Sequence, residues 1–212
     1  CRRLLRAFPH RTAIPASVLR HFMLGCAIFR GSAMRLLPAL CLAALLPVSA
    51  AFAAGSDDSA PPATTKTTTE CKDGQVYDDT QQKCVDPQSG ALDDDARFRA
   101  VRELAHAGRY DAAQLVLAAM TEGATDRVLT YRGFLLRKTG HVEDGIAAYE
   151  AALALNPGNI LAHSYYGQLL VEMDEIAAAK AHLAAIRRAG GAGSWAETAL
   201  ASAIATGTTY QF

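Results

Sequence analysis

The chain has 212 residues, half of them hydrophobic, with 21 basic and 21 acidic side chains and so no formal net charge. That length holds one domain or two small ones. The neutral average hides an asymmetry: Arg2, Arg3, Arg6, Arg11, Arg20, Arg30 and Arg35 all precede residue 54, where Asp and Glu are absent, so residues 54–212 carry 14 basic against 21 acidic residues, a net charge of −7. A body of that sign argues against a nucleic-acid partner.

In chain order, residues 1–33 begin on Cys1 rather than Met and read as an over-extended N-terminus ahead of a start at Met34 or Met23. Residues 34–53 read as a signal peptide. Met34-Arg35 is a short positive region, Leu36 to Val48 is an apolar stretch broken by Pro38 and Pro47, and Ala51-Phe52-Ala53 fits the small-x-small cleavage rule. Cleavage is expected after Ala53, with a periplasmic or secreted protein as the outcome. The apolar stretch is shorter than the roughly 20 residues needed to cross a bilayer, so no membrane span is expected to remain. Mitochondrial transit peptides are also Arg-rich and acid-poor, but they lack a compact apolar stretch followed by A-x-A. Cys26 and Cys41 lack the apolar stretch and small neighbour of a lipoprotein start.

Residues 54–70, AGSDDSAPPATTKTTTE, contain no large apolar side chain. Such text cannot bury enough surface to offset ordering, and a flexible spacer is expected. Residues 71–86 come next, with Val76-Tyr77 and Lys83 to Val85 as short strands around a turn from Asp78 to Gln82. Only Cys71 and Cys84 remain beyond residue 54, and an even pair in an exported chain reads as a disulfide stapling the ends of this hairpin. No further Cys or His stands nearby to complete a zinc site, and the pair is not in the C-x-x-C arrangement of redox centres.

Beyond Asp86-Pro87 the text becomes Ala-rich, with apolar residues at three- and four-residue spacing. Gly108, Gly140 and Asp174 are turn residues 32 and 34 positions apart. Six further columns align with them: Val101, Gly133 and Gly167; Leu104, Leu136 and Leu170; Tyr110, Val142 and Ile176; Ala113, Gly145 and Ala179; Leu117, Tyr149 and Leu183; Met120, Ala152 and Ile186.

That period and those residue types resemble the tetratricopeptide repeat, a helix-turn-helix unit of about 34 residues. The middle unit, Asp126 to Asn159, matches best: Gly133 stands at the family's small position in helix A, Gly140 at the turn, Tyr149 at the aromatic position, Ala152 at the second Ala and Pro157 at the close. The third unit begins at Ile160 and carries Gly167 and Ala179. The first begins near Asp94 with Val101 where a small residue is usual. Arg132 and Gly145 also depart from the pattern, which prefers Leu and Ala there. The resemblance implies an all-α helix-turn-helix solenoid of about three repeats over residues 92–189. Ser194 to Ala205, within residues 194–206, supplies a capping helix that lays Trp195, Ala199 and Leu200 against the last repeat. Asp93 to Asp95 and Asp126 mark helix starts.

Catalytic signatures are absent from the text: it holds no H-E-x-x-H, nucleophile elbow, Walker loop or dinucleotide fingerprint. Neither Ser164 nor Ser202 has a base that the register would bring close. No enzymatic activity, metal or cofactor is therefore expected. The resemblance implies instead that the helix A residues facing a concave groove contact a ligand: Phe98, Arg102, His106, Arg127, Thr130, Phe134, Arg137, Lys138, Ser164, Gln168 and Val171. Basic residues around Phe134 suit an acidic or carboxylate-ended peptide held by charge-assisted hydrogen bonds. The expected function is a non-catalytic adaptor or assembly factor of the cell envelope. The alternative is a wall-associated protein whose Cys71 to Cys84 hairpin contacts envelope polymer, and oligomerisation is compatible with either.

Overall fold

The computed structural model describes residues 61–209. The expected over-extended start, signal peptide and residues 54–60 of the spacer lie outside the described residues. Within them the chain forms α1 (Lys66–Thr69), β1 (Val76–Asp78), β2 (Lys83–Val85), α2 (Asp94–His106), α3 (Tyr110–Ala118), α4 (Asp126–Lys138), α5 (Val142–Leu155), α6 (Ile160–Glu172), α7 (Ile176–Arg188) and α8 (Trp195–Thr206).

From α2 onward the architecture is a row of antiparallel helix pairs. Helices α2, α4 and α6 each pack on their immediate successor, and they also form a line in which α2 meets α4, α4 meets α6 and α6 meets α8. Each member of this line starts with a side-chain cap: Asp93, Thr125, Asn159 and Ser194 accept from the backbone amides of Ala96, Val128, Ala162 and Glu197. A cap satisfies one of the orphan amides of the first turn, worth about 1 kcal/mol. Helix α4 starts at Asp126, as expected, with Thr125 as its cap.

The repeat's signature is the way these helices stop. Gly108, Gly140 and Asp174 all adopt positive φ, at 73°, 87° and 63°. At each, the next amide reaches back five residues: Arg109 to Leu104, His141 to Leu136 and Glu175 to Leu170, at 2.8–2.9 Å. This left-handed closure satisfies the last carbonyls of one helix and aims the chain straight into the next. Asp is among the few non-glycine residues that tolerate the conformation, which is why Asp174 can replace glycine. Gly190 ends α7 in the same way, at φ 86° with Gly191 bonded to Ile186.

Close helix approach explains the small residues. A Cβ on Gly133 would stand 2.7 Å from ring carbons of Tyr149, which is fully buried. One on Gly145 would meet the Gly133 carbonyl at 3.2 Å and the Arg137 nitrogen at 3.3 Å, so α4 and α5 touch through backbone. Gly145 therefore departs from Ala for a packing reason. On Gly167 a Cβ would meet Leu200 at 2.6 Å, which fixes α8 over α6. Asn156-Pro157 ends α5 as the sequence implies, with Asn156 as its cap at φ −137°.

The hairpin pairs Val76 with Val85, Tyr77 with Cys84 and Asp78 with Lys83, and the Cys71–Cys84 disulfide ties it to the preceding turn. Val76 and Val85 belong to the same hydrophobic cluster as Leu92, Leu104 and Val116. The hairpin is therefore a lid on the first repeat. Residues 65–70 correct the expected spacer: Thr65 and Thr68 send their amides and hydroxyls to the buried carboxylate of Glu103 at 2.5–3.2 Å. Arg109 bonds Asp73 and the carbonyls of Thr67, Thr68 and Cys71. Ordering here comes from polar groups meeting one acid and one base on the first repeat, which composition alone does not reveal.

Two consequences for stability can be measured. Gly133→Ala should cost about 1–3 kcal/mol in chemical denaturation despite its better helix propensity, because Tyr149 has nowhere to move. Gly90→Ala, where a Cβ meets nothing within 4 Å, should be near neutral. Replacing Cys71 and Cys84 together by Ser should lower stability by about 2–4 kcal/mol, for a loop of sequence separation 13. Reductant should reproduce that loss in the native chain and leave the double variant unchanged.

Candidate partner-binding face

The helix line α2, α4, α6 and α8 presents its inner side chains to one another, and they are chiefly rings. Phe134 of α4 sits 4.7 Å from Tyr165 of α6 and 6.3 Å from His106 of α2, centre to centre. Trp195 of α8 reaches His106 at 5.4 Å and Tyr165 at 6.3 Å. Tyr131 stands edge-on to Phe98 at 5.4 Å and to Tyr165 at 5.8 Å. Such offset and edge contacts each add about 0.5–1.5 kcal/mol beyond area burial. The centre of the inner face is thus a closed aromatic stack.

Several residues expected to line an open groove are structural. Thr130 is buried and donates to the Asp126 carbonyl at 2.7 Å. Ser164 donates to the Ala196 carbonyl at 2.7 Å and accepts from Gln168, so this buried pair fastens α8 rather than a ligand. Arg127 forks onto both oxygens of Glu122, reaches Asp95 at 2.7 Å and covers Phe98, joining two repeats near their helix starts. Arg137 is buried and forks onto Glu172 at 2.6 and 2.8 Å while bonding the Tyr165 carbonyl. Phe98 and Val171 are buried in hydrophobic clusters. The sequence put these side chains on the right face. It could not show that acids from neighbouring repeats would neutralise two of the arginines.

Three members of the face at helix ends are less deeply buried. His106, Lys138 and Trp195 are half-buried and come from three different helices. Lys138 Nζ stands 5.8 Å over Phe134, a cation over an aromatic face. Burial lowers the Lys138 ammonium, as does the charge of Arg137 beside it. The buried Arg102 stands close enough that its charge acts on both His106 and Tyr165. His106 Nε2 lies 3.1 Å from the Tyr165 hydroxyl, and burial followed by Arg102 brings the imidazole down to about 4. The site is therefore a set of rings with a neutral imidazole and the positive charge of Arg102 and Lys138. Trp195 packs on Tyr165 of the last repeat, as the sequence placed it, and also reaches His106 on α2, a contact that the sequence does not reveal.

Elsewhere, His163 Nε2 faces the Pro157 carbonyl at 3.0 Å, so its Nδ1 accepts the Nδ1 proton of His182 at 2.8 Å. A cleft of about 590 Å³ opens on the other side of the row, between α3 and α5, with Leu117, Arg132, Leu135 and Asp144 in its walls. Among the described residues, no group of three His, Cys, Asp or Glu side chains could hold a metal ion. No helix there is long and apolar enough to cross a membrane.

Antiparallel helix pairs joined by left-handed turns at a period near 34, with small residues at the helix contacts, define a helical-repeat solenoid whose usual use is to hold other proteins. Residues 136–203 match the tetratricopeptide repeat family. The first repeat precedes the matched region and is recognised by its turn at Gly108. No curated protein and no solved structure matches the chain.

The histidines make the fold acid-sensitive. His106 and His182 are both held at about 4, below the ordinary value near 6.5, and His163 is lowered too. The unfolded chain then binds more protons between those values, so this contribution is full above pH ~6.5 and is lost as pH falls toward 4. The melting temperature should decline across that window, and the His106→Gln, His182→Gln double variant should decline less.

Proposed function

We propose that this protein is an exported, non-catalytic interaction module that holds a peptide segment of a partner at the inner face where His106, Lys138 and Trp195 converge, with the buried Phe134 and Arg102 behind them. The convergence of half-buried aromatic and cationic side chains from three helices carries this reading, because rings with adjacent cations suit an extended, acidic or aromatic peptide. Arg127, Arg137, Thr130, Ser164 and Gln168 act as its supporting framework.

Export to an oxidising compartment is supported by the disulfide and by the apolar stretch that precedes Ala53. An adaptor or assembly role in the cell envelope agrees with both. The hairpin's apolar side is spent on the core of the first repeat, which favours the groove over polymer contact by the hairpin.

Selection of a displayed peptide library on the full chain tests the proposal. Peptides enriched on the native protein should lose at least about tenfold in affinity on Lys138→Glu, and should bind Arg132→Glu, on the opposite side, normally. Such a charge sits against a partly desolvated contact worth about 1–2 kcal/mol. No enrichment, or equal binding to both variants, would overturn the assignment of the site.

A further inference from the structure

A pair of imidazoles joins α6 to α7 and involves none of the side chains of the proposed peptide face. His163 and His182 face each other through their Nδ1 atoms at 2.8 Å, with ring centres 5.0 Å apart. That centre distance is close to the nitrogen gap plus the two ring radii, so both nitrogens lie near the line joining the rings. The other nitrogen of His163 faces the Pro157 carbonyl at 3.0 Å and must carry its proton there. A backbone carbonyl in the turn that closes the second repeat thus aims the Nδ1 lone pair of His163 at His182, which is how metal-ligating histidines are oriented. His182 is half-buried, with its ring 4.7 Å from that of Tyr166.

We propose that His163 Nδ1 and His182 Nδ1 form a two-coordinate site for a soft monovalent cation, Cu(I), which takes the place of the proton between them. His182 then carries its proton on Nε2 instead of Nδ1, so the exchange moves one proton within the ring and adds one positive charge. Ligand number selects the ion. Among the described residues, no group of three His, Cys, Asp or Glu side chains could hold a metal ion, so zinc or Cu(II) would have to complete its coordination with water. Two nearly collinear imidazole nitrogens match instead the linear coordination of a monovalent d10 ion. Charge selects in the same direction: Arg188 acts on His163, and it repels a divalent ion twice as strongly as a monovalent one. Metal–imidazole bonds of about 2 Å set the nitrogens about 4 Å apart, so the rings must part by roughly 1.2 Å from their present 2.8 Å. Rotation of the half-buried His182 ring, about a Cβ packed over Gly167, supplies that distance.

Ag(I) is the air-stable probe. The full chain, with its thiols alkylated and the Cys71–Cys84 disulfide intact, should be titrated with silver nitrate in chloride-free buffer while the side-chain nitrogen resonances of its histidines are followed. The first equivalent should shift Nδ1 of His163 and of His182 before any other histidine, and the melting temperature should rise. His163→Gln and His182→Gln should each weaken that equivalent by more than about a hundredfold, the upper end of what loss of an outer-shell partner costs. His141→Gln, at an exposed histidine, should leave it unchanged. Anaerobic Cu(I) should displace Ag(I) from the same two histidines, and Zn(II) should not. Because the resonances are read on the native chain, the test stands even where a variant fails to fold. Nδ1 resonances of His163 and His182 that stay in place at one equivalent, or tight binding that survives in either folded Gln variant, would overturn the site; displacement by Zn(II) would overturn its assignment to a monovalent ion.

Discussion

Everything in this molecule depends on a repeated left-handed turn. At Gly108, Gly140 and Asp174 one residue with positive φ ends a helix, and two residues later the partner helix has begun. With so little chain between them, the helices of a pair have one way to lie, antiparallel and in contact. That contact demands small side chains, and Gly133 facing Tyr149 with Gly145 against the α4 backbone meets the demand. Once the pairs are alike, their first helices form a line, and the inner face of that line is where any shared site must arise.

The two ends of the row illustrate how a short solenoid is finished. A helix pair at an end has an apolar side with no neighbour, and three pairs are close to the minimum that can tolerate it. Here the N-terminal side is closed by the stapled hairpin, whose Val76 and Val85 enter the core, with residues 65–73 tied down by Glu103 and Arg109. The C-terminal side is closed by α8, held by Leu200 over Gly167 and by the Ser164 hydroxyl on the Ala196 carbonyl. A flexible spacer and a separate knob would have left the first repeat uncovered.

Electrostatics on the inner face is governed by pairing rather than by number. Arginines at 127 and 137 meet Glu122, Asp95 and Glu172, so their charge strengthens the joints between units. For Glu172, burial works to raise its carboxyl while the Arg137 and Thr209 bonds more than offset it, and it stays ionised at neutral pH. Burial works the other way on His106, which stays neutral among the rings. The result is a face whose aromatic centre is sealed and whose half-buried side chains, His106, Lys138 and Trp195, lie at helix ends.

The period, the turns, the helix stops and the disulfide partners are all legible in the sequence, because each is set by a local rule: a residue that tolerates positive φ, a proline that cannot continue a helix, two cysteines with no other candidate beyond residue 54. The placing of the inner-face residues on one side is legible too, since it depends only on helical spacing. Which of them remain available is a matter of tertiary structure. Arg137 reads as a ligand-binding cation until Glu172, 35 residues away, is seen to take two of its three guanidinium nitrogens and the Tyr165 carbonyl the third. Trp195 reads as a cap residue on the last repeat, which its contact with Tyr165 bears out, but its further contact with His106 on α2 is not legible. Threonines at 65 and 68 read as spacer until Glu103 gathers their donors. In each case the deciding partner is distant in the chain, and neither composition nor spacing encodes whether a charge will meet its counter-charge.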